Sequence, residues 1–203
     1  MARTQSITDE QILEAAREAF FEHGLNVTTA EIAARAGISE GTVFRRFPTK
    51  HELFMASMGL PPYPGWLDTI DTFIDGSAGG SLEQNLTVVG HEALEFFEEM
   101  IPKMSMVLAS GNPQMSSFDG TQEPPAVRCI KGLANYLCHE QRAGRIRACD
   151  PEVAARTYLG ALHMYAFAHT CGINEFLPMP KHTFVRGVVD QLLRGVRVEP
   201  SED

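Results

Sequence analysis

The sequence lacks most of the features that mark secreted, membrane-spanning or zinc-binding proteins. Its four cysteines are widely spaced and form no CxxC pair, which argues against a zinc site and favours free, buried thiols at Cys129, Cys138, Cys149 and Cys171. No apolar run approaches the roughly 20 residues that cross a bilayer, and the opening MARTQSITDE has no apolar stretch of a signal peptide. These absences predict a cytoplasmic protein with no membrane partner.

Catalytic motifs are missing as well. The sequence has no Ser-His-Asp arrangement, glycine-rich phosphate loop or HExxH pattern, so a binding role is favoured over an enzyme. His91, His163 and His169 raise a metal hypothesis, but His163 and His169 are six residues apart and do not share a helix face well. We therefore expect neither a metal nor another cofactor. An enzyme or carrier that uses a helical pocket is the competing class.

The stretch from Thr28 to Lys50, TTAEIAARAGISEGTVFRRFPTK, has the pattern of a helix-turn-helix. Apolar residues recur at helical spacing before Gly37, which can adopt the positive φ that ends a helix, and Ser39 can cap the next helix. Val43 and Phe47 lie one turn apart and are expected to point into a small core. The opposite face is left for a partner.

That free face begins with small polar residues and ends with cations. Glu40, Gly41 and Thr42 open the second helix, and Arg45 and Arg46 close it. Such a helix suits the major groove of DNA, because its first turn can approach base edges while the cations meet phosphates. A purely structural helical hairpin has the same pattern, so the helix-turn-helix alone does not decide between the two.

From Ile12 to Phe54 the chain resembles the DNA-binding domain of the TetR family of bacterial transcriptional regulators. The matching positions are Ile12, Ala15, Ala16, Phe20, Gly24, Thr28, Ile32, Ala33, Ala36, Gly37, Ser39, Gly41, Thr42, Phe47, Lys50 and Leu53. The resemblance implies a homodimer whose partners are a double-stranded DNA operator and a small-molecule effector. The free helix face and the resemblance together predict DNA contacts at Thr28, Thr29, Glu40, Gly41, Thr42, Phe44, Arg45, Arg46 and Lys50.

Phe44 departs from the family pattern, in which a tyrosine is usual at this position. The hydroxyl that would bond a phosphate is absent, and only an apolar contact remains. We therefore expect affinity to depend on Arg45, Arg46 and Lys50, and we expect alanine at Arg46 or Lys50 to weaken binding without unfolding the protein.

The net charge of −9 is awkward for a DNA-binding protein, because phosphate contact needs local positive charge. The charge is unevenly distributed. Residues 28–50 hold four Lys or Arg against two acids, whereas residues 51–203 hold 11 against 19. We expect the acidic part to repel non-specific DNA and to leave only the helix-turn-helix face attractive.

The apolar patterns of the whole chain predict an all-α fold of about nine helices. We assign a helix-turn-helix domain to residues 1–50 and a helical effector-binding and dimerisation domain to residues 51–203. Capping-box pairs predict three helix starts within the first fifty residues. Three prolines after residue 60 shorten the fourth helix, and Pro102 is expected to end one helix and begin another.

Methionine and aromatic residues are concentrated in the middle of the chain. Methionine adapts to irregular shapes, which suits a pocket for varied apolar ligands, although ordinary core packing explains any single one of these residues. The candidate ligand-binding residues are Phe96, Phe97, Met100, Met104, Phe118, Tyr136, His163 and Phe167.

Two helices near the carboxyl end have faces suited to pairing. Alanines repeat every seven residues in the first, and valines and leucines line one face of the second. In the TetR family two such helices per subunit form a four-helix dimer interface. Burial inside the monomer is the alternative, above all for the first helix. The candidate interface residues are Ala154, Ala161, Ala168, Val185, Val188, Val189, Leu192, Leu193 and Val196.

The resemblance therefore implies a transcriptional regulator, most often a repressor, that binds a palindromic operator and leaves it when a small molecule binds. The methionine and aromatic residues in the middle of the chain predict that this effector is largely apolar. The alternative is a helical ligand-binding protein with weak or lost DNA recognition. Phe44 and the acidic charge are the features that favour this alternative.

Overall fold

The computed structural model describes residues 7–61, 63–109 and 125–196. As predicted, the fold of these residues is all-α, and they contain no strand. The nine α-helices of the described ranges are α1 (Asp9–His23), α2 (Thr29–Arg35), α3 (Glu40–Arg46), α4 (Lys50–Ser57), α5 (Trp66–Asp75), α6 (Leu82–Ala109), α7 (Pro125–Arg142), α8 (Pro151–Thr170) and α9 (Lys181–Val196). Two short 3-10 helices are Gly24–Asn26 and Ile173–Glu175.

The chain divides into two compact units. The first contains the described residues of Met1–Pro62 and Pro102–Gln122, and the second contains those of Tyr63–Ile101 and Glu123–Asp203. The first division lies in the proline-rich segment after α4. The fourth helix therefore belongs to the same unit as α1, α2 and α3.

Side-chain caps determine where the first helices begin. The hydroxyls of Thr8 and Thr28 accept the N–H groups of Gln11 and Glu31, whose side chains accept the backbone N–H of each threonine in return. Thr49 caps α4 through one such hydrogen bond of 2.9 Å. The capping boxes predicted for α1 and α2 are thus confirmed, and these helix starts follow from local sequence.

A small apolar core joins the first four helices. Ile12, Phe20, Ile32, Val43 and Leu53 are completely buried, one or more from each helix. Burying side chains of this size contributes roughly 1.5–3 kcal/mol each before the entropy cost of ordering them. This core holds α3 in a fixed position on α1 and α2.

α6 runs from Leu82 to Ala109 without a break at Pro102, so the expected division into two helices is wrong. Proline removes one helical N–H donor and crowds the preceding turn. Phe97 and Ile101 are nevertheless buried in the core of the second unit. Burial of that face keeps the residues before Pro102 helical, at the cost of one backbone hydrogen bond.

The core of the second unit also contains polar groups with internal partners. Asn85 Nδ2 donates to Tyr136 Oη at 3.0 Å, and Tyr158 Oη donates to the carbonyl of Leu86 at 2.5 Å. Burial raises the pKa of Tyr136 to about 12, so its hydroxyl stays protonated at neutral pH. These bonds fix α6 against α7 and α8.

Gly90 is a point of close approach between α6 and both α8 and α9. A Cβ added there would collide with Tyr158 Oη and would lie 2.8 Å from Val185 Cγ1. We expect Gly90→Ala to lower the free energy of unfolding by about 1–3 kcal/mol, because a packed core resists an extra methyl group. Denaturant unfolding followed by circular dichroism measures this.

The matched control is Gly160→Ala on α8, where an added Cβ meets nothing within 4 Å. Removing a helical glycine at an open site is expected to stabilise the helix by roughly 0.5–1 kcal/mol. Equal effects of the two substitutions would contradict the close contact between Gly90 and Tyr158.

The groups that could bind metals or respond to oxidants are dispersed. All four cysteines are free thiols; burial raises the pKa of Cys129 to about 11, whereas Cys171 is exposed, so the expectation of buried thiols is wrong there. In the described ranges, no three His, Cys, Asp or Glu side chains gather closely enough to bind a metal ion. Among the same residues, no helix has the length and apolar character needed to cross a membrane.

Candidate nucleic-acid interface

The turn between α2 and α3 determines how α3 is presented. Gly37 has φ of +70°, and Ser39 Oγ accepts the backbone N–H of Thr42 at 3.3 Å. Val43 is completely buried beneath α3, and Phe47 is half-buried at its end. The predicted sharp turn is present, and the face of α3 opposite Val43 points outward.

The outward face of α3 is accessible and shallow. Glu40, Gly41 and Arg45 are exposed, and Phe44 is 41% exposed. A Cβ added at Gly41 would meet no atom within 4 Å, so nothing in the described residues covers this position. Gly41 and Arg45 lie one turn apart, so a position without a side chain adjoins a cation on this face.

The two adjacent arginines of α3 have different environments. The Arg46 guanidinium donates to the carbonyl of Ile7 at 2.9 Å and to Asp9 Oδ1 at 2.7 Å. Arg45 makes no hydrogen bond or ion pair with any described residue. Arg46 therefore attaches α3 to the start of α1, whereas Arg45 is available to a partner.

Other cations of the first unit also have structural partners. Lys50 Nζ donates to the carbonyl of Leu25 at 2.6 Å, which joins α4 to the 3-10 helix after α1. Arg35 pairs with Glu22 and lowers the pKa of that carboxyl. Alanine at Arg46 or Lys50 would thus remove a contact within the unit, so Arg45 gives the cleaner test of DNA binding.

The candidate threonines are partly used in capping. The backbone N–H of Thr28 and, at 2.7 Å, its hydroxyl both donate to the Glu31 carboxylate, and these two bonds lower the pKa of that carboxyl. Thr42 Oγ1 lies 2.9 Å from Ser39 Oγ. Thr29 is half-buried at the first position of α2. The predicted DNA residues thus lie at α2, at α3 and at the start of α4, and several of their polar groups already have partners within the unit.

Three of the candidate ligand residues form one contact group in the second unit. The rings of Phe96 and Phe97 are 6.0 Å apart, and His163 meets Phe97 edge-on at 5.4 Å. Burial lowers the pKa of His163, so its imidazole is neutral at pH 7. This group links α6 to α8 through apolar contacts.

The other candidates are dispersed. Tyr136 is completely buried beside Phe73, and its hydroxyl is bound to Asn85, a partner that sequence reasoning missed. Met100 and Met104 are half-buried, and Phe167 is 39% exposed. Phe118 lies outside the described residues. The structure therefore brings together only Phe96, Phe97 and His163 by direct ring contacts.

The candidate interface residues fall into two groups. Ala154, Val185, Val189 and Leu193 belong to the core of their own subunit, and Ala168 is buried as well. Ala161, Val188 and Leu192, together with Ala154, line an open groove of about 840 Å³ along α8 and α9. The side chain of Val196 lies outside the described residues.

The groove has neighbours that the alanine and valine patterns did not identify. Val153, Met164 and Phe167 are large apolar residues of α8 that remain exposed. Gly187 of α9 lies in the groove lining, and an added Cβ there would meet nothing within 4 Å. An exposed apolar face of this kind marks an interaction surface.

The fold and the site define a helix-turn-helix protein: a short four-helix unit that exposes α3, and a larger helical unit. Two family models match the chain, "Bacterial regulatory proteins, tetR family" over residues 12–56 and "AefR-like transcriptional repressor, C-terminal domain" over residues 84–194. The chain belongs to the TetR family of transcriptional regulators. Members of this family are regulators that bind DNA and small-molecule effectors, and they are not enzymes.

One sequence relative and two solved structures are similar to the chain. An uncharacterized HTH-type transcriptional regulator of Mycobacterium bovis is 31% identical over 151 residues, which cover 74% of this chain and 75% of the relative. A TetR-family regulator of Pseudomonas syringae has the same fold, with a TM-score of 0.58, 21% identity and coverage of 96% and 100% of the two chains. SmeT of Stenotrophomonas maltophilia, the repressor of the multidrug efflux pump SmeDEF, has a TM-score of 0.51, 22% identity and coverage of 96% and 92%.

Proposed function

We propose that the protein is a cytoplasmic, homodimeric repressor that binds a palindromic operator and is released by a small, largely apolar effector. The observation that carries the DNA-binding part is the outward face of α3. On this face Gly41, which has no side chain, adjoins the exposed guanidinium of Arg45. Such a face can enter a major groove closely and place a guanidinium against a guanine edge or a phosphate. The match to an AefR-like repressor domain supports repression.

The groove along α8 and α9 supports the homodimer. It is apolar and open, and the exposed residues Val153 and Met164 adjoin it on α8. A second copy of the same face would cover it with a two-fold interface, because the same patch serves both subunits. Two recognition helices can then reach successive major grooves roughly 34 Å apart.

The effector part of the proposal is supported by the large helical unit and its ring contacts. Phe97 and His163 place aromatic surface and a neutral imidazole between α6 and α8. An effector acts if it prefers a dimer whose two α3 helices no longer match the operator spacing. Release from the operator requires only this preference. It does not require a particular set of contacts that transmits effector binding to α3.

Arg45→Ala tests the DNA-binding face. We expect it to weaken operator binding by roughly 30-fold or more, because a lost arginine contact costs about 1–3 kcal/mol in each of two subunits. The measurement is a gel-shift titration with DNA upstream of the protein's own gene. The salt dependence of binding should also become shallower, since fewer counterions are released.

Arg142→Ala on α7 is the control, since it removes an exposed arginine from the second unit. Equal affinity of the wild type and Arg45→Ala would refute the assigned face.

A ligand-binding protein without DNA recognition remains the second candidate, and the internal contacts of Arg46 and Lys50 favour it. For this second candidate, the expected result of the gel shift is no retarded band, even at high protein concentrations.

A further inference from the structure

The turn between α8 and α9 exposes four large apolar side chains, those of Ile173, Phe176, Leu177 and Met179. Phe176 is 85% exposed and Leu177 is 72% exposed, and among the large apolar residues of the described ranges these two are the most exposed. We call the four residues the apolar turn. Single exposed apolar residues are common and need no partner, but several of them within seven residues mark an interaction surface.

The apolar turn has an ordered backbone. Gly172, with φ of +72°, follows the end of α8, and the 3-10 helix Ile173–Glu175 comes directly after it. The N–H of Phe176 donates to the carbonyl of the first residue of this 3-10 helix at 3.0 Å. Tyr165 Oη donates to the Met179 carbonyl at 2.6 Å and attaches the end of the turn to α8. A partner that covers the apolar turn would therefore lose little free energy to ordering its backbone.

The apolar turn is continuous with the groove along α8 and α9. Met179 belongs to both, because it lines the groove together with Thr183 and Phe184. The ring of Phe184 stacks on Tyr165, with ring centres 4.5 Å apart, and Tyr165 is the residue that holds the turn. The turn and the groove therefore form one apolar face, and a partner that covers the groove lies next to the turn.

A second copy of the chain is the partner that fits this face. Members of the TetR family are typically dimers, and a two-fold interface uses the same face of each subunit. A lipid surface fits less well, because membrane surfaces are negatively charged and attract basic segments. The chain has a net charge of −9, Glu175 lies within the turn, and Lys181, the first cation after it, is paired with Glu98.

We propose that the apolar turn is part of the dimer interface and that Phe176 and Leu177 anchor the second copy. This inference rests on the proposed homodimer and identifies residues that stabilise it. Water surrounds both side chains in the single subunit, so their burial against a second copy favours association. By the two-fold symmetry each substitution in the turn removes two such contacts from one dimer.

Fluorescence-detected sedimentation of the full-length protein measures the dissociation constant of the dimer. We expect Phe176→Ser and Leu177→Ser each to raise this constant roughly 100-fold, because each removes buried apolar area from both subunits. Val88→Ser is the matched control, since it removes an exposed apolar residue from α6, and it should leave the constant unchanged. Far-UV circular dichroism of all variants should match the wild type, because the substituted side chains are exposed in the subunit.

A double variant, Phe176→Ser with Leu177→Ser, that dimerises as tightly as the wild type would overturn the inference. Flotation with phosphatidylglycerol vesicles tests the lipid alternative. Wild-type binding to these vesicles that the double variant loses, with dimerisation unchanged, would assign the turn to a membrane instead. A wild type that is monomeric at every concentration would count against the proposed function, whereas a dimer that survives both substitutions would count against this inference alone.

Discussion

Replacing Gly41 with glutamate is expected to abolish operator binding while the protein stays folded. The added side chain has open space around it in the free protein, since a Cβ at Gly41 meets nothing within 4 Å. In a major groove the same side chain would occupy the closest point of approach and bring a carboxylate toward phosphates and base edges. With a cost of about 2 kcal/mol in each of two subunits, affinity should fall roughly 1000-fold.

Two controls separate groove blocking from other effects. Gly41→Ala adds helix propensity with little bulk and no charge, so it should bind far better than Gly41→Glu. Asn135→Glu places the same charge on the exposed face of α7 and should bind like the wild type. Thermal unfolding of all three confirms that the fold is intact. Near-normal operator affinity of Gly41→Glu would mean that α3 does not enter a groove.

Gly187→Glu is expected to weaken operator binding by a comparable factor, because it prevents dimerisation. Gly187 lies in the groove of α8 and α9, with open space at its Cβ. A carboxylate at this position would lose its hydration when a second copy covers the largely apolar groove, at a cost of several kcal/mol for each of the two copies. The variant should sediment as a monomer of 22.4 kDa and lose tight operator binding, because one subunit contacts only a half-site.

Sedimentation equilibrium and the gel shift are measured on the same sample. Gly187→Ala should remain dimeric, since a methyl group adds neither charge nor much volume. Asn135→Glu again controls for net charge. A Gly187→Glu protein that stays dimeric would place the interface elsewhere on the subunit, whereas a monomer with full operator affinity would separate DNA binding from pairing.

The parts of the structure that depend on residues close together in the chain could be predicted from the sequence. The caps at Thr8 and Thr28 and the turn at Gly37 involve groups three or four residues apart, and each is found in the structure as predicted. Family membership followed from the same region. Local hydrogen bonding and backbone sterics need no knowledge of the rest of the chain.

The different roles of Arg45 and Arg46 could not be predicted in this way. Both are cations near the end of an exposed helix, and the sequence pattern treats them alike. Arg46 is distinguished by Ile7 and Asp9, which lie 39 and 37 residues earlier in the chain. Only the tertiary fold, which places the end of α3 beside the start of α1, brings these groups together.

In the helices of the second unit, too, the sequence pattern does not predict which residues meet in the folded protein. The periodicity of α9 correctly indicates an apolar face, but Val185 and Val189 turn that face toward their own core. Ala154 and Ala168 on α8 are buried as well, while Val153 is exposed. Periodicity identifies which residues share a face and does not identify what covers that face. Pro102 is a similar case, because tertiary burial outweighs a local helix-ending signal.

A hydroxyl-radical footprint of the wild-type protein on the DNA upstream of its gene tests the central claim most directly. The account predicts two protected stretches whose centres are separated by roughly one helical turn or a whole multiple of it, each requiring Gly41 and Arg45 in one of two subunits. Protection should disappear with Gly41→Glu. A footprint from a single subunit, or protection that survives Gly41→Glu unchanged, would contradict the claim that paired α3 helices read the operator.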